Sequence, residues 1–190
     1  MRRLFLTYCF LCASALFAFA RDYLVSSLQK KDGLSDNNVT CICTDKRQRL
    51  FVGTRNGLNV YDGSLVSRVG NSDFEITALY CDDDVLYVGA ENGLYEYSPE
   101  SDSLIPVSLT TQWGVDIYCN VSGICRCANH IIVGTIGQGF FLLDKVNHTL
   151  KQFSTRIPFV TDLIPVSDNN VVVASRNEGL LSVNLSAMSV

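Results

Sequence analysis

Polar side chains that could bind a ligand recur in four short turns of the sequence, each of which ends in glycine. They are Arg55, Asn56, Glu91, Asn92, Gln138, Arg176, Asn177 and Glu178. Planar, bidentate groups of this kind can hydrogen-bond sugar hydroxyls or carboxylates. Since turns are polar in most proteins, the same pattern also fits ordinary solvent-exposed turns.

A longer connection between the second and third turns carries aromatic side chains. It runs from Ser108 to Asn120 and holds Trp113, the only tryptophan of the chain, and Tyr118. An aromatic ring in such a loop can stack on a sugar ring or pack beneath the loop itself. Trp113 and Tyr118 therefore join the eight turn residues as candidate ligand contacts.

The common signatures of catalysis are missing from the sequence. It has no H-E-x-x-H or G-x-S-x-G motif and no phosphate loop ending in Gly-Lys-Ser/Thr. Gly134–Gly139 resembles a phosphate loop, but it occupies one of the four turns. Glu91 and Glu178 lie in different turns, whereas a glycosidase needs two carboxylates about 5 to 9.5 Å apart. We therefore expect no enzymatic activity in this chain and no cofactor.

Cysteines and aspartates offer little support for a metal site. The C-x-C spacings do not suit zinc, and His130 and His148 do not complete a ligand set. Asp82-Asp83-Asp84 could bind calcium but fits a solvated turn better. Buried hydrophobic packing, one or two disulfides or a metal site remain open for the six cysteines beyond the N-terminal segment, which are Cys41, Cys43, Cys81, Cys119, Cys125 and Cys127.

The four turns belong to a sequence motif that recurs four times along the chain. Its copies are Leu50–Leu58, Leu86–Leu94, Ile131–Phe140 and Val171–Leu180. Their equivalent positions Gly53, Gly89, Gly134 and Ala174 are 36, 45 and 40 residues apart. These intervals are near the roughly 40 to 45 residues of a four-stranded propeller blade and exceed the roughly 33 of ankyrin repeats.

Each repeat predicts four antiparallel strands, which we call a to d. Short runs of β-branched and aromatic residues alternate with Gly and Asn-Gly turns, which is a hairpin pattern. A glycine that ends every b–c turn indicates a positive φ. The sequence therefore predicts an all-β fold of propeller blades within 21–190, in a partial propeller with a leading strand at 22–28, and blades near 39–70, 76–107, 121–153 and 160–190.

Residues 1–20 have the pattern of a secretory signal peptide. Arg2 and Arg3 precede the apolar stretch Leu4–Phe17, and small residues lie before a cleavage position after Ala20. A retained membrane anchor is the alternative, although the apolar run is short for a span. The pattern predicts export to the periplasm or beyond.

The charge of the chain argues against nucleic acid or an anionic membrane surface as partner. The net charge of −4 becomes −6 once Arg2 and Arg3 leave with the signal peptide, and basic residues form no cluster.

The first repeat resembles a known family. Gly33–Asp45, with its G-L-S start, followed by Arg49–Asp62, which contains F-V-G-T-R-N-G-L, is similar to the two-component regulator propeller repeat. The match weakens in the later repeats. With the N-terminal segment, the chain resembles the start of the periplasmic sensor of hybrid two-component histidine kinases.

This resemblance implies a ligand-sensing propeller that recognises oligosaccharides. It also implies partners in further blades or a second sensor copy, and a kinase of which no residue can be located before Val190. We expect a truncated or partial protein whose exposed blade edges favour self-association. The alternative is a stand-alone secreted propeller that acts as an interaction or adhesion scaffold.

Overall fold

The computed structural model describes residues 26–107, 118–145, 149–154 and 157–186, and nearly all of their regular structure is β-strand. One short 3-10 helix, Lys30–Asp32, precedes the first strand. Neighbouring strands pair antiparallel, in the order in which they follow each other in the chain. The described residues form three four-stranded sheets and a fourth sheet of three strands.

The strands fall into one sheet per repeat. The first sheet contains β1 (Val39–Thr44), β2 (Leu50–Thr54), β3 (Gly57–Tyr61) and β4 (Val66–Arg68). The second contains β5 (Ile76–Asp82), β6 (Val85–Ala90), β7 (Gly93–Ser98) and β8 (Ser103–Pro106). The third contains β9 (Asn120–Cys127), β10 (His130–Ile136), β11 (Phe140–Asp144) and β12 (Thr149–Ser154). The fourth contains β13 (Val160–Ser167), β14 (Asn170–Ser175) and β15 (Gly179–Asn184).

The turns between the b and c strands have the backbone that the sequence predicts. The glycine that ends each turn has a positive φ, of 124° at Gly57, 153° at Gly93, 78° at Gly139 and 73° at Gly179. A side chain at these positions would strain the backbone, which explains why all four turns end in the same residue.

The first strands of successive sheets are joined by a repeated hydrogen bond, which we call the hydroxyl clasp. The side chain that follows Val39, Ile76 or Val121 donates to the main-chain carbonyl of the equivalent residue of the next sheet. Thr40 Oγ1 bonds the Ile76 oxygen, Thr77 Oγ1 the Val121 oxygen and Ser122 Oγ the Val160 oxygen, each at 2.5 Å. The four sheets therefore follow one another around their first strands, as blades do in a propeller.

Three apolar cores lie between the sheets, one for each neighbouring pair. Phe51, Leu58, Ile76 and Val88 belong to the core between the first and second sheets. Tyr87, Leu94, Val121 and Phe141 belong to the next. Ile132, Phe140, Val160 and Val173 belong to the third. Each sheet thus buries its apolar residues against its neighbours in the chain, as repeat modules must.

A glycine on the second strand permits the close approach of neighbouring sheets. An added Cβ would lie 2.8 Å from Ile76 Cγ2 at Gly53, 2.6 Å from Val121 Cγ1 at Gly89 and 2.6 Å from Val160 Cγ1 at Gly134. Such distances are too short for real atoms, so the branched side chains of Ile76, Val121 and Val160 pack directly on the backbone of the preceding sheet.

The N-terminal segment covers part of the first sheet. Leu34 packs on Val52 and Val66. Beside it, buried Asn59 accepts the Ser35 N–H at 2.9 Å and donates to Ser35 Oγ at 2.8 Å. Most of the predicted leading strand 22–28 lies outside the described residues, and residues 26–28 are not part of a strand.

Among the described residues, the outer surfaces of the first and fourth sheets are uncovered. Val39 begins the first sheet and is 48% exposed, whereas Ile76, Val121 and Val160 at the same position are fully buried. At the other end, Leu180 is 77% exposed, although Leu58 at the same position of the first sheet is fully buried. The predicted fold class, all-β propeller blades in an open arrangement, is confirmed.

The turn at Asp82–Asp84 differs from the expected solvated turn. Asp82 is buried, where Arg126 Nη1 bonds its Oδ1 at 3.0 Å and Lys145 pairs with its Oδ2. Asp83 is exposed and pairs with Lys46 of the first sheet at 3.0 Å. Asp82 therefore compensates cations of the third sheet, which the run of three aspartates does not by itself predict.

The six described cysteines are free thiols. Burial raises the pKa of Cys41 to about 11 and that of Cys125 to about 12. Cys125 and Cys127 belong to the core between the third and fourth sheets. Their packing agrees with the interpretation of these residues as small buried hydrophobes.

Candidate functional site

The four b–c turns lie at the same end of their sheets, along one side of the row. The hydroxyl clasps join equivalent positions of the first strands, so these strands run in the same direction. Because every sheet then repeats the same antiparallel order, its b–c turn and the connection that enters its first strand share an end. We call this end the turn face.

The predicted turn residues are exposed on the turn face, where the scaffold leaves them accessible. These are Arg55, Asn56, Glu91, Asn92, Gln138, Arg176, Asn177 and Glu178. Tyr118 is 83% exposed. Trp113 lies outside the described residues.

Main-chain hydrogen bonds fix the turns to the connections beside them. The Arg55 N–H donates to the Asn38 oxygen, the Glu91 N–H to the Glu75 oxygen and the Arg176 N–H to the Phe159 oxygen, each at 3.1 Å. The third turn uses the Gly137 N–H, which donates to the Pro158 oxygen at 2.7 Å. The side chains of the turn face are thus presented by held backbone, which suits binding residues on a rigid scaffold.

Alternating charges cross the turn face from the first sheet to the second. Arg55 Nε lies 3.6 Å from Glu75 Oε1. The pKa of Asp36 is lowered mainly by the Asn38 N–H, with smaller contributions that include the Arg55 charge. Arg55 and Glu75 retain exposed surface, and exposed pairs contribute little stability. Their hydrogen-bonding groups therefore remain able to bind a polar ligand.

An aromatic pair stands next to these charges. Phe74 stacks on Tyr95 with ring centroids 5.0 Å apart and planes inclined by 22°. Burial raises the pKa of Tyr95, a hydrogen bond with Asn92 opposes this, and the nearby Tyr118 raises it further. Asn92 and Tyr118, two predicted residues from distant parts of the sequence, therefore both lie near Tyr95.

Sequence reasoning missed Phe74, Glu75, Tyr95 and Asp36. Phe74 and Glu75 lie in the connection that enters the second sheet. Because such connections lie at the same end of the sheet as the b–c turns, the sequence could have indicated these two residues. Tyr95 follows the turn glycine by two positions, and its stacking on Phe74 depends on a contact between distant residues. Arg55 thus lies beside Glu75, whereas Asn92 and Tyr118 interact with Tyr95. On the other two turns, the Gln138 oxygen accepts a bond from Gln152, and the Arg176 N–H donates to the Phe159 oxygen.

Within the described ranges, no group of three or more His, Cys, Asp or Glu side chains is placed to hold a metal ion. The same residues contain no helix long and apolar enough to cross a membrane. The available chemistry of the turn face is hydrogen bonding, charge and aromatic contact.

Radiating antiparallel sheets joined through their first strands define this structure as a set of β-propeller blades. Residues 33–56 match the family of the two component regulator propeller. This matched segment lies in the part of the chain whose residues predict a two-component regulator propeller repeat. No curated protein matches the chain.

Solved structures share the fold. The extracellular domain of a protein described as a hybrid two component system from B. thetaiotaomicron superposes with a TM-score of 0.73 and 21% identity, over 86% of this chain and 25% of that one. A second such domain from B. thetaiotaomicron gives 0.64 and 22%, over 76% and 20%. The WD40 β-propeller domain of Doa1 gives 0.62 and 14%, over 82% and 53%. This chain thus spans a quarter or less of the two extracellular domains.

Proposed function

We propose that this chain is part of an exported, ligand-sensing propeller of a two-component regulator and that it recognises oligosaccharides without chemical turnover. The observation that carries the proposal is the regulator propeller repeat at residues 33–56 within a row of blades similar to the extracellular domains of hybrid two-component systems. The N-terminal signal pattern of residues 1–20 supports export.

The turn face supports a saccharide as the ligand. Arg55, Glu75 and Asn92 carry planar groups that can bond adjacent hydroxyls, and Tyr118 offers an exposed ring. Sugars are recognised by such combinations because their hydroxyls need directed hydrogen bonds and their C–H faces pack on aromatic rings. The exposed guanidinium of Arg55 could also bind the carboxylate of an acidic sugar.

The test is calorimetric titration of the purified chain with a panel of short neutral and acidic oligosaccharides. We expect at least one to bind, and chromatography of the mixture to return it unchanged. Arg55→Ala and Asn92→Ala should each weaken binding about tenfold, since each removes hydrogen bonds to the ligand.

A matched control is Arg47→Ala, which removes an exposed arginine from the opposite end of the first sheet. It should leave the affinity unchanged. If no saccharide of the panel binds, the proposed ligand class is wrong. If Arg47→Ala weakens binding as much as Arg55→Ala does, the turn face is not the ligand site. The appearance of cleaved products would contradict sensing without turnover.

A further inference from the structure

The outer face of the fourth sheet repeats the apolar surface that the other sheets bury. Ile164 is 59% exposed, while Cys125 at the same position of the third sheet is buried. Leu180 is exposed, while Phe140 at its position is buried. The fourth sheet thus carries the surface against which another sheet packs, with no sheet of the described chain on it.

The first sheet offers the complementary surface. Val39 and Ile42 are exposed, whereas Val160 and Leu163 at the same positions of the fourth sheet are buried against the third. Residues 26–38, the described part of the N-terminal segment, leave this surface exposed. Its Leu34 packs on Val66 of the first sheet's own last strand.

The connection that enters the second sheet shows that such a segment is compatible with packing. Asn71, which holds the position of Leu34 there, bonds Leu104 of the second sheet's own last strand. The second sheet still packs on the first with that connection in place. The first sheet can therefore receive another sheet in the same way.

The hydroxyl clasp is also available on the fourth sheet. Thr161 holds the clasp position but bonds the Ala174 oxygen of its own sheet at 3.0 Å. The equivalent residues Thr40, Thr77 and Ser122 all donate to a main-chain oxygen of the next sheet. A rotation about χ1 would direct the Thr161 hydroxyl to the main-chain carbonyl of a residue placed as Val160 is placed on the third sheet.

From these surfaces we infer that two copies of the chain associate head to tail. The fourth sheet of each copy packs on the first sheet of the other, with the Thr161 hydroxyl bonding the Val39 oxygen of the second copy. Two such contacts close a ring of eight sheets, which is within the four to eight blades of known propellers. The contact is heterologous and reciprocal, so it ends at two copies. This inference is independent of the proposed ligand.

One residue makes this junction looser than those within the chain. Ala174 stands where Gly53, Gly89 and Gly134 admit a branched side chain against the backbone. Its methyl group keeps Val39 farther away than Val160 lies from Gly134, which lowers packing at the junction. We therefore expect a pair that dissociates on dilution.

The experiment measures the mass of the full chain by light scattering and by sedimentation over a range of concentrations. We expect the mass of two chains at high concentration and that of one chain on dilution, where one chain of all 190 residues has a mass of 21.0 kDa. Val39→Asp and Ala174→Arg each place a charge in the junction and should weaken association about a hundredfold. Thr161→Val, which removes the hydroxyl and keeps the shape, should weaken it severalfold.

Mixing the two charged variants tests the head-to-tail arrangement. In a mixed pair one junction is unaltered, and the other places the introduced carboxylate of one chain opposite the introduced guanidinium of the other, so the mixture should regain the mass of two chains. Circular dichroism must show that both variants keep the β-sheet spectrum. A wild-type chain that stays single at every concentration, or a Val39→Asp variant that still pairs, would overturn the inference, as would growth beyond two copies.

Discussion

At the scale of the residue, the hydrogen bonds of Asn59 to Ser35 give the G-L-S motif before the first sheet a structural role. The Asn59 amide is fully buried and also donates to the Val52 oxygen at 3.2 Å, while Ser35 Oγ lies 2.8 Å from Thr54 Oγ1. Thr54 in turn donates to the Gly57 oxygen at 2.9 Å and so braces the b–c turn. The network connects the N-terminal segment to the backbone of the turn face.

Asn59→Leu should destabilise the protein by about 1 to 3 kcal/mol, because it leaves the buried Ser35 N–H without its side-chain acceptor and removes the bonds from the Asn59 amide to Ser35 Oγ and the Val52 oxygen. Urea denaturation followed by fluorescence measures the change. Asn169→Ala, at an exposed asparagine, is the matched control and should change stability by less than about 0.5 kcal/mol. Equal effects of the two substitutions would contradict the role of the network.

At the scale of the element, the strands and turns follow from the sequence, but the junctions between sheets do not. The Asn-Gly turns and β-branched runs predict where β2 and β3 begin and end, since these are local properties. The glycine of β2 gives no local sign of its role, because the groups that occupy the space of a Cβ are Cys41 Sγ of β1 and Ile76 of the next sheet. The same reason hides the clasp of Thr40, whose partner is the Ile76 oxygen.

Gly89→Ala should lower stability by about 1 to 3 kcal/mol, because the new methyl group overlaps Val121 and forces the second and third sheets apart. Gly123→Ala is a matched control on the neighbouring strand, where a Cβ would be 3.6 Å from its nearest atoms and in ordinary contact. Thermal unfolding of both variants measures the difference. A Gly89→Ala variant as stable as Gly123→Ala would show that the close approach at Gly89 is not needed.

At the scale of the whole molecule, the repeat spacing predicts the blades but not the surface that they leave uncovered. The 36, 45 and 40 residue intervals specify which strands share a sheet. The exposure of Val39 and Leu180 depends on the relative placement of the first and fourth sheets, which no local pattern encodes. The sequence names Arg55, Asn92 and Tyr118, of which Arg55 lies beside Glu75 while Asn92 and Tyr118 interact with Tyr95. Their role in binding stays a prediction, as does that of Trp113.

The stability of the whole molecule should fall at alkaline pH. Burial raises the pKa of Cys41 and Cys119 to about 11 and of Cys125 to about 12, from 9.0 in the unfolded chain. The folded state therefore holds these protons more tightly, and its advantage is complete below pH 9.0 and is lost as the pH rises toward 12.

Urea midpoints measured between neutral pH and about pH 10.5 test this dependence. Cys125→Val, which keeps an apolar side chain and removes the thiol, should show a smaller alkaline decrease than the wild type. The prediction fails if the wild-type midpoint is constant over this range, or if Cys125→Val loses as much stability as the wild type does.

The hydroxyl clasps have a consequence for biosynthesis. Each clasp links a sheet only to the sheet that follows it, so a newly made sheet finds its docking partner already complete on its N-terminal side. Such short-range docking allows assembly to proceed in step with translation or secretion, without waiting for the last residue. The growing molecule then always exposes one unfinished apolar surface, and that surface moves along the polypeptide as each unit is added.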